Sequence, residues 1–360
     1  MDIIESTQKY EAWLKARIPV IQTDLDDKHQ AMRQAAFPFL RATFYRWVQL
    51  WRENCPDLAM APTVLSVGDL HVENLGTWRD PEGRLAWGIN DFDEAYPAAF
   101  TNDLVRLAAS ALLAGQEQVL AIHPLDACEA ILSGYHKALE NHGAPFVLAE
   151  GHDHLRAWAT SQLRDPLRFW QKLEELPSLK DVPPQMQTML QNALPQDFSN
   201  ARVVHRVAGL GSLGRPRYTI IADWCGGKIA REAKQLLASA WVWEKTGEQS
   251  GQILYQKIID QAIRNPDPYT KQVDNWIVRR LAPDCCRIEL AELPRERDET
   301  RLLFAMGLET GNIHLGSGME SAAQIQADLA KRPTDWLVKA SQGMVKATLK
   351  DWQDWKKASK

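Results

Sequence analysis

At 360 residues the chain is too long for one small core, and two lobes or domains are expected. Its 45% hydrophobic and 24% charged content is that of a globular protein, not a disordered or fibrous one. A net charge of −4 gives no overall field for nucleic acid or an anionic membrane, so neither is expected as a partner.

Residues 1–20 alternate charged and apolar positions and lack the apolar stretch of a signal peptide. No run approaches the roughly 20 apolar residues of a spanning helix. The five cysteines (Cys55, Cys128, Cys225, Cys285, Cys286) show no CxxC spacing. The expectation is a cytoplasmic protein with reduced thiols, needing neither disulfides nor zinc.

In chain order, residues 7–18 and 27–54 read as helices, with Pro38 interrupting the second or starting a new one. Phe37, Leu40, Phe44, Trp47 and Trp51 fall at spacings of three and four, which predicts a buried face. Arg41 beside it reads as a solvated or snorkelling side chain. Two short apolar segments follow, 63–67 and 85–89, and each delivers a polar cluster at its end. The first is GDLHVEN, residues 68–74; the second is NDFDE, residues 90–94. Thr101 or Asn102 is a plausible N-cap for a helix over 104–116, and Asp103 suits its positive end as a structural group. A helix over 124–141 follows. Shorter helices over 154–195 are expected to break at Pro166, Pro177 and Pro183-Pro184. His152-Asp153-His154 reads as a surface loop.

The character then changes. Segments 202–207 and 217–223 are β-like and flank the glycine-rich Gly209-Leu210-Gly211-Ser212-Leu213-Gly214. In a dinucleotide-binding unit such glycines open a helix directly. Here Pro216 and a β-branched run follow, so the pattern predicts a glycine hairpin over phosphates. A third strand is expected over 228–233, with a helix over 234–244 and another over 250–264. Further strands fall over 275–281 and 287–293. The tail reads as helices over 297–309, 320–331 and 335–357, with His314 structural.

Asp69 and Asn74 stand at the interval of a kinase catalytic loop, in which Asp accepts the acceptor proton and Asn binds magnesium. Asp91-Phe92, at the end of an apolar strand, stands where a metal-binding Asp would lie. Phosphoryl transfer needs a carboxylate near the nucleophile and hard oxygen ligands for Mg²⁺. Asp69 is therefore the expected acceptor base, with Asn74 and Asp91 as metal ligands and Asp93 as a second ligand or loop anchor. His71 and Glu73 are accessory candidates for contact with metal or acceptor.

The segment G-D-L-H-V-E-N followed by I-N-D-F-D-E-A resembles aminoglycoside- and choline-kinase-like phosphotransferases. It is more closely similar to a bacterial family of uncharacterised proteins, domain of unknown function 2252. That likeness takes in Met32, the stretch 37–41, residues 90–94 and 103–110, the glycine loop, Arg231-Glu232-Ala233 and the stretch 307–314. The resemblance implies an α+β, two-lobed, protein-kinase-like fold that binds ATP with Mg²⁺ or Mn²⁺. Gly209, Gly211, Ser212, Gly214 and Arg231 would hold the nucleotide, with Glu232 accessory. Two departures accompany it. The glycine loop follows the catalytic loop, which implies circularly permuted lobes. Arg231 replaces the family's lysine and is not its equivalent, with Lys228 and Lys234 as neighbouring substitutes.

The resulting expectation has three parts: a helical lobe over 1–200 with the catalytic and metal loops, a β-rich nucleotide-covering lobe over 201–292, and helices over 293–360 packing on the first. The expected activity is transfer of the ATP γ-phosphate to a hydroxyl or amine of a small molecule. A catalytically silent nucleotide-binding protein and a nucleotidyl transferase are the alternatives, and a metallophosphoesterase ranks behind them. Neither acceptor nor oligomeric state is legible.

Overall fold

In the N-terminal region, local chemistry decides where each helix begins and ends. The computed structural model describes all residues except 149, 162–164, 247–250, 286, 288, 289, 291–297, 359 and 360. Helix α1 (Ile3–Lys15) is capped by Asp2, which accepts from the Glu5 N–H at 2.8 Å. The helical stretch expected over 27–54, with an interruption or a new start at Pro38, is three helices: α2 (Gln22–Gln34), α3 (Ala36–Ala42) and α4 (Phe44–Asn54). Ala35 at φ −152° and Thr43 at φ −124° leave helical geometry and separate them. Pro38 lies in the first turn of α3, where its missing N–H costs nothing. The face from Phe37 to Trp51 is buried as its spacing requires.

Strand β1 (Thr63–Ser66) pairs with β4 (Tyr96–Ala99), not with the second apolar segment. That segment, β3 (Leu85–Ile89), lies between β2 (Leu75–Arg79) and the two-residue β5 (Phe146–Val147). Helix α5 (Phe100–Gln116) has Ala99 as its N-cap, so Thr101 and Asn102 are inside the first turn instead of capping it. Their side chains bind Leu58 O and Trp47 Nε1. Residues 100–114 of α5 are buried on every side, which makes it the central helix. Helices α6 (Pro124–Glu140), α7 (Asp153–Ser161), α8 (Pro166–Glu174) and α9 (Pro184–Asn192) follow. Pro166 and Pro184 start α8 and α9.

The next strands form one antiparallel sheet in the order β6-β7-β8-β10-β9, with β6 (Ser199–Val204), β7 (Arg217–Trp224), β8 (Gly227–Gln235), β9 (Lys271–Val273) and β10 (Trp276–Leu281). Alternation divides its faces. Ile220, Ala222, Ala233 and Val278 pack under α9, whereas Ile221, Ala230 and Leu281 pack under α8. Helices α10 (Ala240–Thr246) and α11 (Tyr255–Gln261) lie between β8 and β9. The helix expected from residue 234 begins instead at 240, because Lys234 and Gln235 pair with Arg217 and Trp276 in the sheet. The strand expected over 287–293 falls mostly outside the described residues.

Helices α12 (Glu299–Leu315), α13 (Met319–Leu329) and α14 (Trp336–Ala358) close the chain; α12 and α14 pack on α5 and α6, and α13 packs on α12. Where α6 crosses α12, a Cβ on Gly134 would overlap Phe304 O and one on Gly307 would overlap Ile131 O. These two glycines let the backbones touch. No helix among the described residues is long and apolar enough to cross a membrane.

Glu309 on α12 is 1% exposed and accepts from the Ile89 N–H and from Asn312 Nδ2. Burial pushes its carboxyl up to about 7, against the opposing Arg264 charge. Its folded pKa lies above its unfolded value of 4.5, so the folded state holds the proton longer. Stability should therefore fall as pH rises from about 5 to about 7, by at most about 3 kcal/mol for this group. Glu309→Gln, neutral throughout, should flatten the melting temperature against pH. A variant with the parent's full decline would clear Glu309 of that role.

Candidate functional site

The two acid loops are stitched together at their backbones. Asp103 of α5, fully buried, accepts from the Val67 N–H at 2.6 Å and the Gly68 N–H at 3.0 Å. His314 Nε2 donates to Asp103 at 3.0 Å, and its Nδ1 meets the Tyr135 hydroxyl at 2.9 Å, a structural role. Gly68 has φ +82°, and a Cβ there would overlap the Glu94 carbonyl. Asn74 Nδ2 donates to Asp69 O at 3.2 Å and Asp91 O at 2.9 Å, while its Oδ1 accepts from the Asp91 N–H at 3.0 Å. Asn74 is thus a clamp between the loops. As a metal ligand it retains only the second lone pair of Oδ1.

Asp69 projects from this frame into a cleft of about 570 Å³ between the helical body and the five-stranded sheet. Its Oδ1 accepts from Arg106 Nε at 2.9 Å and from Arg106 Nη2. Arg106 is fully buried on α5 between the Phe44 and Trp47 rings, 4.9 and 4.8 Å away. Burial raises the Asp69 carboxyl above its ordinary value, with Arg106 opposing. Oδ2 is left toward the cleft. His71 accepts the Glu73 N–H at Nδ1, 3.2 Å away, so Nε2 carries the proton of the neutral ring. Burial and then the nearby arginine charges, Arg41 first, hold its pKa well below the usual range. Glu73 binds Arg41 at 2.5 Å. The expected snorkelling of Arg41 therefore does not occur, because its guanidinium turns inward to a buried carboxylate.

Asp91 and Asp93 share one cation. Lys234 Nζ lies 3.0 Å from Asp91 Oδ2 and 2.7 Å from Asp93 Oδ1. Burial works to raise Asp91, but the Lys234 ammonium prevails and holds it below the carboxylate range. Asp93 is pushed up to about 6 by burial and by Asp91's charge. Glu94, also raised by burial, to about 7, accepts from Arg215, Ser239 Oγ and the Ala240 N–H at the start of α10.

On the sheet side, the glycine segment joins the antiparallel strands β6 and β7, as the expected hairpin does, and closes as a short 3₁₀ turn. Gly209 has φ +77°, and Gly211 passes Asp69 so closely that a Cβ would lie 3.4 Å from Oδ2. Lys28 of α2 donates to Gly211 O at 3.0 Å, and Gly214 O accepts the Ile21 N–H. Ser212 Oγ receives a bond from Arg217 Nη2. Glu232 is fully buried and accepts from Arg206, Arg217 and Arg279. Arg231 does not join this group. As the alternate residue of β8 it faces α9, donates to Ala193 O at 3.0 Å and stacks on Tyr269. That alternation keeps the expected anchor Arg231 out of the cleft lining, and Lys234, on the other face of β8, is the cation that meets Asp91 and Asp93.

Asp69, His71, Glu73, Asn74, Asp91, Asp93, Gly209, Gly211 and Ser212 all line the one cleft. Sequence reasoning missed Arg106, Arg206, Arg217 and Arg279. The resemblance raises Glu232 as an accessory group and Lys234 as a substitute cation, and for Arg217 the available signal is its parity with them along adjacent strands. Among the described residues no three Asp, Glu, His or Cys side chains form a ready-made metal cage. Mg²⁺ ordinarily needs only one or two carboxylates with phosphate oxygens and water. Asp91, 40% exposed toward the cleft with Asp93 behind it, fits that requirement.

Residues 21–165 match the family model described as an uncharacterized protein conserved in bacteria (DUF2252). The stretch that matches DUF2252 runs from the start of α2 to just before α8 and holds both acid loops, Arg41 and Arg106. The five-stranded sheet lies beyond it. No curated protein and no solved structure matches the chain.

Proposed function

We propose that the chain is a Mg²⁺-dependent phosphotransferase of protein-kinase-like, lobe-permuted design, moving the γ-phosphate of ATP to a hydroxyl or amine of a small molecule. The observation that carries this reading is the meeting of Lys234 with Asp91 and Asp93 beside Asp69. A glycine turn between the first and second strands of a sheet, with a lysine on the third, is how protein kinases cover and anchor phosphates. The first 200 residues would supply the catalytic and metal loops, residues 201–292 the nucleotide cover, and the last helices a support.

In this reading Asp69 Oδ2 receives the proton of the acceptor, while Arg106 fixes the carboxylate through Oδ1. Asn74 keeps the two acid loops in register. Lys234 passes from the carboxylates to the phosphates when nucleotide enters. Asp91 and Asp93, so released, would hold Mg²⁺, which supplies charge neutralisation at the β- and γ-phosphates.

A second reading, a catalytically silent nucleotide-binding protein, is favoured by the same ammonium lying where a metal would bind. One experiment addresses both. ATP with Mg²⁺ at about 100 times its dissociation constant should stabilise the fold by roughly 2.7 kcal/mol, read as a rise in melting temperature. No rise with ATP, GTP or ADP, with Mg²⁺ or Mn²⁺, removes both readings. Binding without transfer from labelled ATP leaves the silent one.

A further inference from the structure

The groups around Glu232 carry more positive charge than the fold itself neutralises. Glu232 lies opposite Arg279 on β10 and Thr219 on β7, so cross-strand pairing brings Arg279 directly to it. Arg217, two register positions along on the same face, reaches Oε1 at 2.6 Å, and Arg206, just beyond β6, reaches Oε2 at 2.6 Å. Three guanidiniums thus share one carboxylate. Burial first, and then the Arg217 and Arg279 charges, pull Arg206 down to about 10 against the attraction of Glu232.

Their remaining hydrogen-bonding capacity divides in two. Arg217 spends Nη2 on Ala208 O at 2.8 Å and Ser212 Oγ at 3.2 Å, which fixes the glycine turn above it. Arg206 and Arg279 use Nε and Nη2 on Glu232 and are each about one-fifth exposed to the cleft. Among the described residues, Nη1 of each has no protein acceptor. The glycine turn has less to offer, because the N–H groups of Ser212, Leu213 and Arg215 are consumed inside it. Two forked donors with spare N–H groups beside a turn that passes Asp69 match the oxygens of a phosphate chain.

We infer that Arg206 and Arg279, set by Glu232 and Arg217, hold the phosphate chain of a di- or triphosphate ligand in this cleft. The inference rests on the phosphotransferase reading for the use of that chain but not for its binding. The arginines take the place of turn N–H groups in gripping the phosphates, and Lys234 adds a further cation next to Asp91. A nucleotide and an inorganic polyphosphate share this chemistry.

Calorimetric titration of the full-length protein with ATP, sodium tripolyphosphate and adenosine separates these cases. Tripolyphosphate and ATP should bind, with affinity falling steeply as salt is added, and adenosine should bind at least about a hundredfold more weakly than ATP. Arg206→Ala and Arg279→Ala should each weaken ATP and tripolyphosphate about tenfold or more. Arg231→Ala, on the far face of β8, should match the parent. Should an alanine variant unfold, Arg206→Lys and Arg279→Lys keep the charge on Glu232 and lose only the fork, and should still weaken binding severalfold. Parent-like ATP binding in the Arg206 and Arg279 variants overturns the arginine site and leaves the phosphotransferase reading intact. Adenosine binding as tightly as ATP, or binding while tripolyphosphate does not, overturns it too. Tight, arginine-dependent binding without phosphoryl transfer supports the site and removes the transferase.

Discussion

Asp69→Asn should lower phosphoryl transfer about a hundredfold or more while ATP still binds. The amide keeps the size of the carboxylate, but its nitrogen or oxygen facing the cleft no longer accepts a proton. Binding should survive because the cations proposed to hold the phosphates, Lys234 and the Glu232 arginines, lie on or next to the sheet and are not altered by the substitution. The substitution also leaves the Arg106 guanidinium, fully buried and held on Oδ1, without an anion. Breaking a buried pair from one side costs about 3 kcal/mol, so a lowered melting temperature is expected as well. Rate and ATP affinity measured on the same folded sample separate chemistry from stability. A variant as active as the parent would take Asp69 out of the reaction.

Lys234→Met should act on both binding and stability. Lys234 is 2% exposed and is the cation shared by Asp91 and Asp93. With an apolar side chain there, buried Asp93 and the partly exposed Asp91 lose the cation between them, and Asp93 is already raised to about 6. Stability at pH 7 should drop by about 3 kcal/mol. For a carboxyl whose folded pKa exceeds its unfolded value, the penalty sets in above the unfolded value and is complete above the folded one. The variant should therefore recover part of its loss as pH falls from 7 toward 5, when Asp93 takes up a proton. ATP affinity should fall about tenfold or more. Equal losses at pH 5 and 7 would show that the two carboxylates are not what the lysine neutralises, and unchanged ATP affinity would separate Lys234 from the phosphates.

Much of the acid-bearing wall was legible locally. The Asp69–Asn74 interval, the apolar strand Leu85–Ile89 and the Asp91-Phe92 pair are short-range patterns, and the loops they define do lie together. The clamp made by Asn74 was not legible, because a side-chain amide that reaches two backbones is a contact between loops 17 residues apart. The break of the 27–54 helix at Ala35 and Thr43 was not legible, since neither residue is a helix breaker. Ala35 is extended and Thr43 leaves helical geometry where α3 packs against α2 and α4.

The region around Lys234 shows the limit most clearly. Lysine, glutamate, alanine and glutamine favour helix by intrinsic propensity, and that preference places a helix start at residue 234. Pairing with β7 and β10 overrides it, and β pairing is a non-local term that no window of sequence contains. Once the strand runs to Gln235, parity alone turns Glu232 and Lys234 to the cleft and Arg231 to α9. By itself the sequence determined which residue types stand at which intervals, and so the helical periodicity, the glycine turn and the acid clusters. Tertiary structure decided which cations those acids meet. Arg106 reaches Asp69 across 37 residues and Lys234 reaches Asp91 across 143, distances over which only packing selects partners.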